Sequence, residues 1–338
     1  MKKHFLSFAI IIFFMFMLTG CKKQTIDYSQ TGFYFDTAIQ ITVYGTSDQE
    51  DSLQKALNDA FLLCETYENM LSRTRMDSDV YRINHANGEW VMVSDETIRV
   101  LYTALNYCDL SDGHIDITVA GVKDLWDFSS SEHVGSLPDK YAIAEELLYV
   151  DYSQVQIDGN KVRLTSPSAQ IDLGFIAKGF IADEIKASLI QNDVASALID
   201  LGGNILVLGE KPDHTAFKIG IQKPFADSAQ TIATIDVSDA SGINTVVTSG
   251  IYERYFEYDN TIYHHILDAK TGYPVQNNLF SVTILTNNSM NADALSTTCL
   301  AMGLEWSMDF LSTLDGVDAI FVTDTLEIID TRAATETK

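Results

Sequence analysis

The stretch IDLGFIAKGFIADEIKASLIQNDVASALIDLGGNILVLG, residues 171–209, decides the fold class. An apolar strand carrying Asp172 turns at Gly174 and enters a helix expected from Ile176 to Ile190. Apolar strands then run through residues 197 to 208, joined by Gly202 and Gly203, which permit positive φ or the close approach of a ligand. Adjacent strands broken by an isolated helix favour an α+β fold over a doubly wound parallel sheet.

The same pattern extends both ways. Toward the C-terminus, strands are expected near residues 217 to 222, 231 to 237, 252 to 258, 261 to 267 and 280 to 286, then a helix from Ala292 to Met302, a second helix, and a strand from Ala319 to Val322. Toward the N-terminus, Val155 and Ile157 meet Val162 and Leu164 across Asp158-Gly159. A short helix begins near Pro138, a longer one follows Ser94 as N-cap, and Leu53, Leu57, Ala60, Cys64, Tyr67 and Leu71 recur at helical spacing. Ile39, Ile41 and Val43 alternate with polar neighbours as a half-buried strand.

The first twenty residues read as an export signal. Lys2 and Lys3 precede an almost wholly apolar run from Phe5 to Leu18, and Thr19 and Gly20 lead into Cys21. The run is short of the roughly 20 residues that cross a bilayer. Leu18-Thr19-Gly20-Cys21 resembles the bacterial lipobox, so Cys21 is expected to be lipidated and to hold the protein on the outer face of the cell membrane. Two acyl chains, at about 0.8 kcal/mol per buried CH₂, give stable attachment. The expected organisation is a signal peptide over 1–20, a lipidated tether over 21–32, one folded domain over 33–325 and a polar tail over 326–338.

Loss of the signal removes two lysines and no acids, and the charge becomes 20 − 47 = −27. So acidic a surface argues against nucleic acid and against electrostatic docking on anionic lipid. Cys64, Cys108 and Cys299 are odd in number and widely spaced, which fits neither a disulfide framework nor a zinc site.

Four segments concentrate reactive side chains. In IDLGFIAKGF (171–180) Lys178 sits in the first turn of a helix, where free N–H groups and a cation suit a phosphate; a solvated lysine at an ordinary turn is the plainer account. In NADALSTTCLAMG (291–303) Asp293 and Thr297 share a helix face, an oxygen set that Mg²⁺ accepts. Spacing alone favours capping by Asn291 and Asp293. His264 and His265, after TSGIYERYF (248–256), point to opposite faces of a strand, so one at most reaches a site. Ser249 beside a histidine invites a hydrolase reading, but no GxSxG elbow is present. IDLGGN (199–204) is the fourth.

The order of these segments is more specific than any one of them. DTAIQITVYG, LSRTRMDSDVYRIN (71–84), GHIDITVAGVKDLWDF (113–128), IDLGFIAKGF, IDLGGN, TSGIYERYF, HHILDAKTGYP and ADALSTTCLAMG together resemble the ApbE family of FAD:protein FMN transferases. The resemblance implies mainly antiparallel sheets flanked by helices, with FAD in a cleft between two intimate halves. It implies Mg²⁺-dependent transfer of FMN from FAD, as consumed substrate, to a threonine or serine of exported acceptor proteins of electron-transfer systems, with AMP leaving. By the same resemblance Asp293, Thr297 and the main-chain carbonyl of Phe175 hold Mg²⁺, with Ser296 where some members have a second acid. Lys178, Asp172, His114, Ile115, Asp116 and Ile266 match FAD positions, as do Phe35 and Thr74, which stand where many members have methionine and tyrosine. His265 is the candidate base for the acceptor hydroxyl, an imidazole of ordinary pKa being suited to that at neutral pH. A Mg²⁺-dependent FAD pyrophosphatase and a non-catalytic flavin-binding lipoprotein are the competing readings.

Overall fold

A computed structural model describes residues 24–128, 136–226, 230–239 and 242–332. The signal segment, Cys21 and the last six residues lie outside the described residues. An eight-stranded sheet organises the rest. Its strands are β1 (Thr25–Tyr34), β2 (Thr37–Thr46), β3 (Ser196–Asp200), β4 (Asn204–Leu208), β5 (Thr245–Gly250), β6 (Leu279–Thr286), β7 (Asp318–Thr323) and β8 (Ile328–Asp330), lying side by side in chain order. Each neighbouring pair is antiparallel. The fold is therefore α+β, a meander whose long connections carry the helices and the smaller hairpins.

Strand alternation gives the sheet two apolar faces. Val247, Val282 and Phe321 enter the main core beneath helices α1 (Glu50–Leu71), α2 (Asp95–Leu110), α3 (Ala177–Gln191), α4 (Ser289–Met302) and α5 (Leu304–Leu311), while Val246, Leu285 and Ile320 face the other way. That second face is covered by the hairpin Phe217–Gln222/Thr231–Val237, through Phe217, Ile221 and Ile235. A smaller cluster of Val122, Trp126, Ile143 and Leu267 forms a second lobe against the main body. The three cysteines are buried and free, and burial pushes each thiol pKa up. No helix among the described residues is long and apolar enough to cross a membrane.

Several expectations shift. Residues 25–32, expected as part of a tether, belong to β1, and Ile328–Asp330, expected in a polar tail, form β8. Both sit at edges of the sheet, where one-sided exposure permits polar sequence. The hairpin of 155–164 turns at Gly159-Asn160, because Asp158 pairs with Lys161. Strand β5 was not expected: its Thr245 and Thr248 break the apolar pattern, yet it lies in the middle of the sheet. Asp172 is not in a strand; its N–H donates to the Ile117 carbonyl from an extended link. At Gly202, φ is +66° and an added Cβ would lie 2.3 Å from Thr37 Oγ1, so turn geometry and close packing both require glycine.

Candidate functional site

The site is built around the contact of α3 with α4. A Cβ on Gly179 would meet the Ser289 carbonyl oxygen at 2.1 Å and Asp293 Cβ at 2.7 Å, so only glycine lets the two helices approach this closely. The approach brings Asp293 Oδ2 to the Gly179 N–H, which donates to it at 2.8 Å. Gly179 is the third residue of α3, so its N–H has no acceptor within the helix. Asp293 thus caps α3 and not its own helix, whose N-cap is Asn288, accepting from the Asn291 N–H at 2.8 Å. The capping arrangement that spacing favoured for Asn291 and Asp293 is therefore replaced. Burial pushes the Asp293 carboxyl pKa up, while Lys178 and the N–H groups of α3 favour its charge. One turn along, Thr297 Oγ1 lies 3.0 Å from Ser249 Oγ on β5, and Ser249 Oγ lies 2.8 Å from Ser296 Oγ.

Asp293, Thr297 and Ser249 line a cleft of about 850 Å³, within the range of about 300–1,000 Å³ that small-molecule sites occupy. Phe175, Asp293 and Thr297, the expected metal ligands, all line it, as do Lys178 and His265. Phe35, Thr74, Ile115, Asp116, Asp172 and Ile266 line it as well. His114 does not; its Nδ1 lies 3.1 Å from Asp268 Oδ1. A buried carboxylate, a hydroxyl and a main-chain carbonyl are all oxygen donors, the set a hard divalent cation takes.

Asp172 is held by cations. Lys123 Nζ lies 3.0 Å from its Oδ1 and Arg73 Nε 3.2 Å from its Oδ2, and the Gly174 N–H donates to Oδ1 at 2.9 Å. Burial works against its charge, but Lys123 and Arg73 prevail and hold the carboxyl at about 2. Arg73 also forms a two-pronged pair with Asp124. Asp116 is committed to the backbone: one oxygen accepts from the Thr118 N–H at 2.7 Å, the other from the Tyr152 N–H at 2.8 Å.

The two histidines divide as strand geometry requires. His264 is buried, its Nε2 3.0 Å from the Val275 carbonyl, and burial lowers its pKa to about 4. His265 faces the cleft. Burial and then the charges of Arg254 and Lys123 push its pKa down to about 3, so it is not the imidazole of ordinary pKa that was expected, and it is neutral at physiological pH. Among the cleft residues that the sequence reading did not single out are Arg73, Lys123, Glu253 and Arg254. All lie inside quoted segments, so the signal available was their position within those segments. Lys178 and Arg254 both favour the charged form of Glu253, whose pKa burial raises.

Comparison with known proteins agrees with this architecture. The chain is 38% identical over 272 residues to the FAD:protein FMN transferase of Klebsiella pneumoniae, covering 80% of this chain and 82% of that one. It is 33% identical over 319 residues to the protein of the same name from Treponema pallidum, covering 90% and 86%. The crystal structure of the ApbE protein from Thermotoga maritima superposes with a TM-score of 0.81 at 30% identity, covering 92% of this chain and 99% of that one. The flavin transferase ApbE from Vibrio cholerae gives 0.76 at 25% identity, covering 91% and 97%. The family model described as the ApbE family matches residues 35–321, and with the fold and cleft in agreement the chain belongs to the ApbE family.

Proposed function

We propose that this chain is an FAD:protein FMN transferase, moving FMN from FAD to a serine or threonine hydroxyl of an exported protein and releasing AMP. The observation that carries the reading is the convergence in one cleft of Lys178 at the start of α3, the oxygens of Phe175, Asp293 and Thr297, and the neutral His265. Relatives covered over most of their length bear that name.

Phosphoryl transfer needs positioning and neutralisation of charge more than covalent help from the protein. Lys178, at the head of α3, binds the diphosphate as a cation. Phe175, Asp293 and Thr297 are the residues that would hold Mg²⁺, which supplies charge neutralisation at the phosphoryl oxygens. The acceptor oxygen attacks the FMN-side phosphorus, the bond from that phosphorus to the bridging oxygen breaks, and AMP departs with the bridging oxygen. His265 takes the hydroxyl proton. The cations that keep His265 neutral also weaken it as a base, and a diphosphate beside Arg254 and Lys123 offsets them. Cys21 is proposed as the lipid anchor, placing the enzyme at the outer face of the cell membrane.

The test is incubation with FAD, Mg²⁺ and a candidate acceptor, reading acceptor mass and free AMP. An acceptor that gains FMN as AMP appears supports the transferase. FMN and AMP released with every acceptor unmodified would leave a pyrophosphatase, and FAD bound but never cleaved would leave a flavin carrier.

A further inference from the structure

Two segments of the cleft wall are fastened to one carboxylate. The turn between β1 and β2 consists of Phe35 and Asp36, with φ of +55° and +57°. Both residues are left-handed, as a two-residue type I′ hairpin turn requires. Aspartate accepts that conformation readily, but phenylalanine does not. Something must hold it. The Phe35 N–H, which the ladder leaves free, donates to Glu68 Oε1 at 2.8 Å. Glu68 reaches up from the last turn of α1 with a side chain 14% exposed, and its second oxygen pairs with Arg75. The Arg75 guanidinium also donates to Asn69 Oδ1 at 2.6 Å. Arg75 belongs to the loop after α1 that carries Thr74, and Phe35, Thr74, Arg75 and Glu68 all line the cleft. One oxygen of Glu68 is therefore spent on the Phe35 turn and the other on the Arg75 loop, two neighbouring segments of the cleft wall.

We propose that Glu68 is a positioning residue that fixes the aperture through which FAD enters, by joining the strained Phe35 turn to the Arg75 loop. The inference rests on the flavin reading of the cleft. The bonds of Glu68 go to the Phe35 turn and the Arg75 loop, so its effect falls on capture of FAD and not on the chemical step. Glu68→Gln keeps an oxygen for the Phe35 N–H and loses the pair with Arg75, whereas Glu68→Ala loses both.

The measurement uses the full-length chain in detergent, with FAD binding followed by flavin fluorescence and AMP release followed against FAD concentration. The expected result is a Kd and KM for FAD about tenfold higher in Glu68→Ala, a smaller rise in Glu68→Gln, and kcat at saturating FAD within about twofold of the parent. A role in stability alone would lower the melting temperature and the active fraction, and leave KM where it was; that outcome overturns the proposal. If Glu68→Ala does not fold, Glu68→Gln decides by itself, an unchanged KM counting against. Absence of FAD binding by the parent chain sinks the flavin reading together with this inference, whereas equal binding by parent and variant sinks the inference alone.

Discussion

Asp293 on α4 accepts the backbone N–H of Gly179 on α3 at 2.8 Å, so the carboxylate proposed to hold Mg²⁺ is oriented by a neighbouring helix and not by its own. Its two duties separate by substitution. Asp293→Asn keeps an oxygen for that N–H and removes the charge; Asp293→Ala removes both. AMP release from FAD is expected to vanish in each, and in the parent treated with EDTA. Only Asp293→Ala should melt earlier, by about 1 kcal/mol, the usual worth of a cap. Full activity in Asp293→Asn or in EDTA defeats the metal assignment.

Gly179→Ala tests the packing that makes this possible. The added methyl has the Ser289 carbonyl 2.1 Å away, and overpacking of this kind costs about 1–3 kcal/mol. Calorimetry should show the loss, and AMP release should fall with it because Asp293 is displaced. An unaltered melting temperature would show that the helices separate freely.

Asp172 makes stability depend on acid. Its folded pKa of about 2 lies below the ordinary 3.8, so its contribution is present above pH 4 and is lost as pH falls through 2. The shift corresponds to about 2 kcal/mol. Asp172→Asn, which leaves Lys123 and Arg73 facing each other, is expected to be less stable than the parent by that order at pH 7, with the gap closing below pH 4. A gap independent of pH between 7 and 2 would count against the ion cluster.

His265 and Lys178 are expected to part company. His265→Ala should slow transfer to protein about 10²- to 10⁴-fold while sparing hydrolysis of FAD; Lys178→Ala should slow both. Paired assays of acceptor mass and free FMN give the comparison. Because His265 titrates near 3 in the free protein, its protonation should place no acid limb in kcat/KM between pH 7 and 5. Equal loss of both products in His265→Ala would move that histidine onto FAD.

Replacing Cys21 by serine should remove lipid labelling and shed the protein from membranes. Unchanged partition and labelling would refute the anchor.

Much of the fold is legible in the sequence where periodicity and caps agree. Ser94 is the N-cap of α2, accepting from the Thr97 N–H, and Leu53 to Leu71 form the buried stripe of α1. Strand β5 is hidden because buried Thr245 and half-buried Thr248 spend their polarity within the sheet, where Thr248 Oγ1 meets Thr283 Oγ1 at 2.8 Å. The reactive oxygens were visible because Asp293 and Thr297 share one helix. Lys123 and Arg73 were not, for they meet only at Asp172, far from both in sequence, and no local rule joins them. The tie of Asp293 to Gly179 lay equally out of reach, since spacing pointed to a cap within one helix.

β1 has a further consequence for where catalysis takes place. Its ten residues run from Thr25 to the turn at the cleft lip, an extended length of about 33 Å. With Cys21 as the proposed anchor, only residues 22–24 lie between the lipid and this rigid rod, adding at most about 3.6 Å each. If Cys21 carries the lipid, an acceptor tethered to the same bilayer would have to present its hydroxyl within that reach.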